Sequence, residues 1–318
     1  MIEVEGLTKY YAAHAAIKDL SFSIKKGEVI GFLGLNGAGK STTLKILGCV
    51  LLPTSGHLRI DGVDAISDPH EARKRIGFLP DTPPLYDEMT VGAYLSFVAQ
   101  LHGVAPGKAR ALVEEAEERT ATREVDRELI SSLSHGYRQR VGVAQAVVHK
   151  PALLVLDEPS SGLDPVQIVE MRSLIRNLKG EHTVLVSSHI LSEISQTCDR
   201  LLVIQAGEIV AQGSEEELAR RAGAGGAVAI EVRGAAARAA EVVRGVSGVS
   251  GVSVVSESGE LSVLRAEASA ELRPQIARAL VNANVDLLRL DRVGDRLESI
   301  FLKLTAGAPD AAAKQEAA

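Results

Sequence analysis

The sequence has 318 residues, of which 46 % are hydrophobic and 24 % are charged, and its net charge is −6. This length exceeds one average domain and predicts about two, and the composition is typical of a globular protein with a full core. Mild acidity and the absence of tryptophan argue against nucleic-acid binding, which favours a basic face with stacking aromatic residues.

The cysteines and the apolar segments exclude further classes of protein. Cys49 and Cys198 are too few for a disulfide framework and fit reduced thiols in a cytosolic protein. The chain opens with MIEVEGLTKYY, which lacks the charged start and apolar core of a secretory signal. No apolar run approaches the ~18–20 residues that span a bilayer. We therefore expect any membrane role to depend on a partner.

The first part of the chain reads as short strands followed by helices. Residues 1–31 contain the strands IEVEGL, AIKDLSFSI and EVIGFLG, with a hairpin predicted at residues 25–28 between the last two. A helix is predicted over 41–52, followed by the hairpin HLRIDGVDA, a helix over 69–75 and the strand IGFLP. Residues from about 89 to 127 read as helical throughout.

The central part alternates between helices and apolar strands. A helix is predicted from Gly136 to His149, and the strand ALLVLDEP follows it. The helix VQIVEMRSLIRNLKG and the strand TVLVSSH come next. Wholly apolar strands of this kind are covered on both faces, which predicts an α/β fold with a parallel sheet.

The composition changes near residue 220, where RRAGAGGA reads as a linker rich in small residues. The remainder reads as βαββαβ with a final helix, RLESIFLKL, which predicts a small ferredoxin-like α+β domain. The predicted organisation is a nucleotide-binding domain over 1–220, a linker over 221–226 and a C-terminal domain over 227–305. The tail 306–318 is predicted to be disordered.

The segment GLNGAGKST joins an apolar strand to a helix and carries the strongest chemical signal. Gly34, Gly37 and Gly39 let the backbone curl so that several N–H groups point at one anion, and the helix N-terminus adds its positive dipole. Lys40 can reach the β- and γ-phosphates, and the Ser41 hydroxyl can ligate Mg²⁺. The pattern predicts a site for ATP and Mg²⁺ formed by Gly34, Asn36, Gly37, Ala38, Gly39, Lys40, Ser41 and Thr42.

The segment LLVLDEP supplies two adjacent carboxylates at the end of a buried strand. On their own, adjacent acids at a strand end are usually only solvated. With a phosphate loop upstream, Asp157 is predicted to hold Mg²⁺ through water, and Glu158 to polarise the attacking water as general base.

These motifs, in this order, resemble those of the nucleotide-binding subunits of ABC transporters over about residues 1–220. GLNGAGKS resembles the Walker A loop of that family, LSHGYRQR its signature loop, LLVLDEP its Walker B strand and SGLD its D-loop. The resemblance implies an ABC-type P-loop ATPase domain with a mixed sheet core and a helical subdomain over about 89–140. The second domain resembles, less closely, the C-terminal domain of exporter-type subunits.

The segment LSHGYRQR allows three interpretations: a nucleophile with its base, a simple turn, or a phosphate-binding loop. A catalytic pair of Ser134 and His135 would need an orienting acid and an oxyanion site, and adjacent side chains on a tight turn seldom face each other. The resemblance implies instead that the Ser134 hydroxyl and the Gly136 N–H bind the γ-phosphate held by a second copy of the chain. Two chains would then form a twofold dimer around two ATP molecules.

The resemblance implies roles for three further residues. Tyr11 stands where the family has an aromatic residue that stacks on adenine, although a strand-packing role is an alternative. His189 in VSSHI is the switch histidine, which contacts the γ-phosphate and steadies the attacking water. Asp164 crosses the dimer interface, and its alternative role as N-cap of the helix that begins at Pro165 is compatible with the same geometry.

The chain departs from the family pattern at four positions. His135 and Tyr137 replace the glycine and glutamine of LSGGQ, and Leu35 replaces a common proline of the phosphate loop. Asp81 stands where the family has a glutamine that touches the metal site and senses the membrane partner. A carboxylate can contact Mg²⁺ or its water but cannot donate as an amide does. Asp81 therefore either serves the metal site or caps the turn at residues 82–84.

The expected function is that of an ATPase subunit which dimerises around two Mg-ATP and drives an integral membrane permease on a separate chain, in the direction of export. The protein would lie in the cytoplasm, on the inner face of the membrane. The alternative is a soluble ABC ATPase that acts on ribosomes or DNA. Such proteins usually carry two motif sets, long coiled-coil insertions or zinc-ligand cysteines, and the sequence contains none of these.

Overall fold

The computed structural model describes residues 1–188, 190–221, 226–268, 272–293 and 301. The chain divides into two compact units, Met1–Ser214 and Glu215–Pro309. Because each unit has a hydrophobic core of its own, each is described separately. His189, most of the predicted linker and final helix, and the predicted tail lie outside the described residues.

The first unit alternates strands and helices along the chain. Its strands are β1 (Ile2–Tyr11), β2 (His14–Ile24), β3 (Val29–Leu33), β4 (Ser55–Ile60), β5 (Val63–Asp64), β6 (Ile76–Leu79), β7 (Leu153–Leu156), β8 (Thr183–Ser187), β9 (Arg200–Gln205) and β10 (Glu208–Gly213). Its helices are α1 (Lys40–Leu47), α2 (Pro69–Arg73), α3 (Val91–Leu101), α4 (Pro106–Thr120), α5 (His135–Val147), α6 (Pro165–Asn177) and α7 (Leu191–Thr197).

The larger sheet of this unit has six strands in the order β10-β9-β3-β8-β7-β6. The five strands from β9 to β6 run parallel, and β10 is antiparallel to β9. Every residue of β3, β7 and β8 is buried, as expected for apolar strands covered on both faces. The predicted mixed α/β core is therefore confirmed, and all five parallel strands end at the same edge of the sheet.

The smaller sheet has the order β2-β1-β4-β5 and is antiparallel. The hairpin predicted at residues 25–28 is wrong, because β2 pairs with β1 while β3 pairs with β8 and β9 in the other sheet. The physical reason is burial: β3 is apolar on both faces and needs covered neighbours, whereas β2 alternates between buried and exposed residues. Gly27, with φ of 77°, turns the chain from one sheet to the other.

The helical part of the first unit consists of α3, α4 and α5. The predicted uninterrupted helix over 89–127 is wrong in one respect, since α3 ends at Leu101 and α4 begins at Pro106. Gly103, with φ of 86°, and the proline at the start of α4 are the residues that break it. Across the described ranges, every helix is too short or too polar to cross a bilayer.

The second unit contains the four-stranded antiparallel sheet β12-β13-β11-β14, with α9 and α10 on its core side. Apolar residues of α9 and α10, such as Ala239, Ala240 and Ile276, form that core with the strands. The described elements are α8 (Glu215–Arg221), β11 (Gly226–Arg233), α9 (Ala236–Arg244), β12 (Val249–Ser258), β13 (Leu261–Ala268), α10 (Arg273–Asn282) and β14 (Asp286–Val293).

Candidate functional site

The candidate site lies at the edge where the parallel strands β3, β6, β7 and β8 end. Ligands of open α/β sheets bind in the crevice outside the carboxyl ends of the strands. The loop after β3 carries the predicted phosphate-binding residues, and the loop after β6 carries Asp81. Asp157 and Glu158 directly follow β7, next to the end of β8. The sheet thus brings residues from distant parts of the sequence to one edge.

The phosphate loop encloses an open cavity at the N-terminus of α1. Gly37 and Gly39 have φ angles of 79° and 104°, which other residues rarely adopt. A Cβ atom on Gly39 would lie 2.6 Å from the carbonyl oxygen of Ala16, so no larger residue fits there. The cavity has a volume of about 340 Å³ and is lined by Ala16, Leu35, Asn36, Gly37, Gly39, Lys40, Ser41 and Thr42.

The turn between β9 and β10 packs against the phosphate loop. The Gly207 N–H donates to the carbonyl oxygen of Ala38, whose side chain is buried, at 3.0 Å. A Cβ atom on Gly34 would lie 2.6 Å from the carbonyl oxygen of Ile204. The predicted residues Gly34 and Ala38 therefore fix the loop against the sheet, while the remaining predicted residues of the loop face the cavity.

Lys40 is buried and folds back onto the loop. Its Nζ donates to the carbonyl oxygens of Gly34 at 2.6 Å and of Leu35 at 3.3 Å. Burial lowers the pKa of Lys40 below its ordinary value, and the negative charges of Glu158 and Asp157 oppose that shift. The ammonium group is therefore held over the cavity by carbonyl dipoles and by the two carboxylates.

Asp157 and Glu158 are held together by Ser187, the last residue of β8. The Ser187 hydroxyl donates to Asp157 Oδ1 at 2.6 Å and accepts from the backbone N–H of Glu158 at 2.9 Å. Glu158 has φ of 51°, a left-handed conformation that is uncommon for a residue other than glycine. Unusual backbone conformations of this kind cluster at functional sites.

The environment of Asp157 suits a hard cation. Burial raises the pKa of the Asp157 carboxyl, and the negative charges of Glu158 and Asp81 raise it further. Hydrogen bonds from Ser187 and Ser41 oppose this rise. Magnesium prefers oxygen ligands and is usually bound through one or two carboxylates together with substrate phosphates. The carboxylate of Asp157 and the nearby hydroxyl of Ser41 form a donor set that fits Mg²⁺.

Asp81 lies on the exposed loop after β6, within electrostatic range of Asp157. In the part of the chain that is described, no N–H group donates to its side chain. The turn-capping alternative thus lacks the hydrogen bond that it requires. The loop is fixed three residues later, where the Tyr94 hydroxyl donates to the carbonyl oxygen of Pro84 at 3.2 Å.

The signature loop packs directly on the D-loop of the same chain. His135 Nε2 lies 2.9 Å from the carbonyl oxygen of Ser161, and since a carbonyl only accepts, that nitrogen carries the proton. A Cβ atom on Gly136 would lie 2.9 Å from the Gln167 side chain. Ser134 is the exposed N-cap of α5, and its hydroxyl accepts from the Tyr137 N–H at 3.4 Å, while Gly136 in the same turn is buried.

Asp164 is the N-cap of α6. Its Oδ1 accepts from the N–H groups of Val166 and Gln167, each at 2.9 Å, and the Gln167 side chain accepts from the Asp164 N–H in a capping box. The N-cap interpretation of Asp164 is therefore confirmed. Its predicted contact across a dimer interface stays a prediction.

Tyr11 stands apart from this cluster. Tyr11 ends β1 with its ring exposed and with Lys9 Nζ 5.6 Å from the ring centroid. The described lining of the cavity includes Ala16 of β2 and leaves out Tyr11. The adenine contact of Tyr11 stays a prediction, and so does the role of His189, which lies outside the described residues.

Sequence reasoning missed Ser187, Gln167 and Ala16. Ser187 did leave a signal, because VLVSSH ends in a polar residue at a position where the rest of the strand is apolar. Gln167 follows Asp164 at the spacing of a capping box, which was a second signal. Ala16 left none, because it lines the cavity through the pairing of distant segments.

Residues 17–161 match the family described as ABC transporter. The chain is 31 % identical to the bacitracin transport ATP-binding protein BcrA of Bacillus licheniformis over 96 % of this chain and 98 % of that protein. It is 30 % identical to the linearmycin resistance ATP-binding protein LnrL of Bacillus subtilis (strain 168), again over 96 % and 98 %. The dimeric structure of MJ0796, a bacterial ABC transporter cassette, superposes with a TM-score of 0.62 at 26 % identity, covering 67 % of this chain and 98 % of that chain.

Proposed function

Because the chain belongs to the ABC transporter ATP-binding proteins, we propose that it is one of two ATPase subunits that together drive export through a separate membrane permease. Membership in the family makes it an ATP-binding and ATP-hydrolysing subunit. The observation that carries the proposal is the meeting of the phosphate loop with Asp157 and Glu158 at one edge of the sheet.

The phosphate loop binds the nucleotide. The N–H groups of residues 36–42 and the N-terminus of α1 surround the β- and γ-phosphates, and Lys40 adds a positive charge. Ser41 and Asp157, with Asp81 nearby, would hold Mg²⁺. The metal, when bound, neutralises charge on the phosphate oxygens. Tyr11 contributes its exposed ring to the adenine.

Glu158 is the general base of hydrolysis. Its backbone is held by Ser187, and its carboxylate lies within electrostatic range of Lys40 at the open side of the phosphate loop. In this role it accepts the proton of the water that attacks the γ-phosphorus. His189 is proposed to steady the same water.

Two copies of the chain enclose two ATP molecules. Ser134 is exposed at the N-terminus of α5, and its hydroxyl, together with the N–H of the buried Gly136, is proposed to bind a phosphate held by the second copy. Asp164 reaches toward the facing phosphate loop with the carboxylate oxygen that is not used in capping. The dimeric form of the similar cassette MJ0796 supports this arrangement.

The surface beside the Asp81 loop suits a helix of the permease. Tyr86 and Phe97 expose 53 % and 37 % of their surface, and their rings lie 5.8 Å apart. An exposed apolar patch of this kind marks a contact with another protein. Binding there would hold the subunit on the cytoplasmic face of the membrane. The similarity to the transport protein BcrA and the resistance protein LnrL over nearly the whole chain favours export over a role on ribosomes or DNA.

The experiment that tests the proposal is the exchange of Glu158 for glutamine. Glu158→Gln should bind Mg-ATP as the parent does, while phosphate release falls by about 10²–10⁴, the usual worth of general base catalysis. Glu88→Gln, which removes an exposed carboxylate from the loop after Asp81, serves as the control and should turn over normally. Equal turnover by Glu158→Gln and the parent would remove Glu158 from this role.

A further inference from the structure

Ser187 is fully buried at the end of β8, and its one hydroxyl takes part in two hydrogen bonds of opposite direction. It donates its proton to Asp157 Oδ1 at 2.6 Å. It accepts from the N–H of Glu158 at 2.9 Å. A hydroxyl is the smallest group that can do both at once. One side chain therefore touches both carboxylate-bearing residues of the site.

The register of the sheet accounts for this contact. Leu156 of β7 pairs with Val186 of β8, so the residues that follow them, Asp157 and Ser187, are neighbours. On its other side Ser187 pairs with Phe32 of β3, directly before the phosphate loop. The hydroxyl is thus anchored by the two strands that flank it, and it does not depend on a mobile loop.

Each of the two bonds restricts a different degree of freedom. The bond to Oδ1 restricts the rotation of the Asp157 carboxylate. The bond from the Glu158 N–H ties the left-handed backbone turn, with φ of 51°, to the end of β8. An apolar residue at this position would release the carboxylate and the turn together.

We propose that Ser187 is a positioning residue that sets the orientation of Asp157 and Glu158 relative to each other. This role rests on the proposed functions of these two carboxylates in binding Mg²⁺ and activating water. It is not shared by the neighbouring Ser188, whose hydroxyl donates to Glu193 Oε2 at 3.3 Å and accepts from the Ile190 N–H at 3.0 Å. Groups that orient metal-binding side chains typically contribute about 10–100-fold to metal affinity or activity.

The test compares three variants of the full chain. Ser187→Ala removes the hydroxyl with little change in volume, and Ser187→Thr restores a hydroxyl on the same carbon. Thr183→Val is the matched control, because Thr183 is buried at the opposite end of β8 and its hydroxyl accepts from the Gly27 N–H at 2.9 Å. Both Ser187→Ala and Thr183→Val therefore remove one buried hydrogen-bonding hydroxyl from the same strand.

We expect Ser187→Ala to lower kcat for ATP by about 10–100-fold, while ATP affinity measured in EDTA stays at the parental value because the phosphate loop is intact. Ser187→Thr should recover most of the parental kcat. Thr183→Val should retain the parental kcat even though its melting temperature falls as that of Ser187→Ala does. A second readout needs no turnover. The increase in equilibrium ATP affinity on adding Mg²⁺, relative to EDTA, should shrink by about tenfold in Ser187→Ala.

Parental kcat and a parental effect of Mg²⁺ in Ser187→Ala would overturn the role of Ser187. Equal losses of kcat in Ser187→Ala and Thr183→Val would also overturn it, because they would indicate a general effect on β8. The same holds if Ser187→Thr melts like the parent without recovering kcat. A parent chain that neither binds nor hydrolyses ATP would overturn the proposed function itself, so the two failures are distinguishable.

Discussion

Asp81 occupies a loop that is connected to both the candidate metal site and the helical part of the first unit. Its charge acts on Asp157, and the same loop is anchored by Tyr94, whose single hydroxyl proton is shared between the carbonyl oxygen of Pro84 and, at 2.8 Å, Gln145 Oε1. Gln145 in turn donates to the carbonyl oxygen of Phe78 in β6 at 3.1 Å. The loop therefore links the candidate metal site to α3, α5 and β6.

We expect Asp81→Ala to change basal ATPase activity by only a modest factor, because Lys40, Ser41 and Asp157 still hold the nucleotide. Stimulation by the permease should weaken, because Asp81 links the candidate metal site to the surface proposed to bind the permease. Asp81→Gln should recover much of the stimulation, as an amide keeps an acceptor and adds a donor. The measurement is ATPase activity in membranes with and without the permease.

The same variants separate coupling from turn capping. A capping residue would be rescued by asparagine or serine, and its loss would lower stability by roughly 0.5–2 kcal/mol. If Asp81→Ala melts at a lower temperature but is stimulated normally per folded molecule, the coupling role is wrong.

At the scale of residues, contiguous motifs could be predicted and contacts between segments could not. The phosphate loop is one uninterrupted segment whose glycines and lysine act through their own backbone, so its residues follow from the sequence. The role of Ser187 depends on the pairing of β7 with β8, and the contact of His135 with Ser161 depends on how two loops meet. Such contacts depend on strand register and on loop packing, which the spacing of residues along the sequence does not reveal.

At the scale of elements, the end of α3 and the end of α5 meet through two histidines. The rings of His102 and His149 stack with centroids 3.7 Å apart, and His149 Nε2 donates to the carbonyl oxygen of Ile76 at 3.0 Å. Burial lowers the pKa of His149 from 6.5 to about 3, and the neighbouring His102 adds to the shift. The folded chain thus keeps this imidazole neutral.

This pair makes stability depend on pH in a defined direction. The unfolded chain binds a proton at His149 as pH falls below 6.5, whereas the folded chain binds it only near 3. Its stabilising contribution is therefore complete above 6.5 and decreases as pH falls, by about 1.4 kcal/mol per pH unit within that window. Urea unfolding of the parent from about pH 7.5 to about pH 5 should show this loss, and His149→Gln should show a shallower slope.

His14→Gln is the control for this prediction, because His14 is an exposed histidine at the start of β2. It should leave the slope unchanged. Identical slopes for the parent and His149→Gln would mean that other groups account for the pH dependence.

Most elements of the first unit could be predicted from periodicity, and the errors have a common cause. The hairpin at residues 25–28 was inferred from adjacency along the chain, but β3 pairs only with strands that come more than a hundred residues later. The break between α3 and α4 had local signals, Gly103 and Pro106, which the helical pattern on both sides outweighed. Strand pairing over long separations is the information that a local reading lacks.

At the scale of the whole molecule, one chain supplies one phosphate loop and one signature loop, so the proposed site needs two chains to be complete. Ser134→Arg should leave ATP binding to the isolated chain nearly intact, because Lys40 and the phosphate loop are unchanged. It should abolish ATP-driven dimerisation, since a long cationic side chain replaces the hydroxyl at the exposed end of α5. Light scattering with and without ATP, in the Glu158→Gln background, measures this.

Ser132→Arg adds the same charge two residues away, at another exposed serine, and should still dimerise. If monomeric Ser134→Arg loses nucleotide binding, the signature loop acts within its own chain and the proposed arrangement of two chains is wrong.

The hydrogen bond from His135 to Ser161 joins two segments that would serve different nucleotides in such a dimer. His135 belongs to the loop that is proposed to face the partner's ATP, while Ser161 donates its N–H to the carbonyl oxygen of Glu158, at 3.0 Å, in the chain's own site. Occupancy of one site would then change the readiness of the other, and thermodynamic reciprocity requires the effect to be equal in both directions for binding. The two ATP sites would act cooperatively. The rate of ATP hydrolysis would then rise with nucleotide concentration more steeply than it does for independent sites.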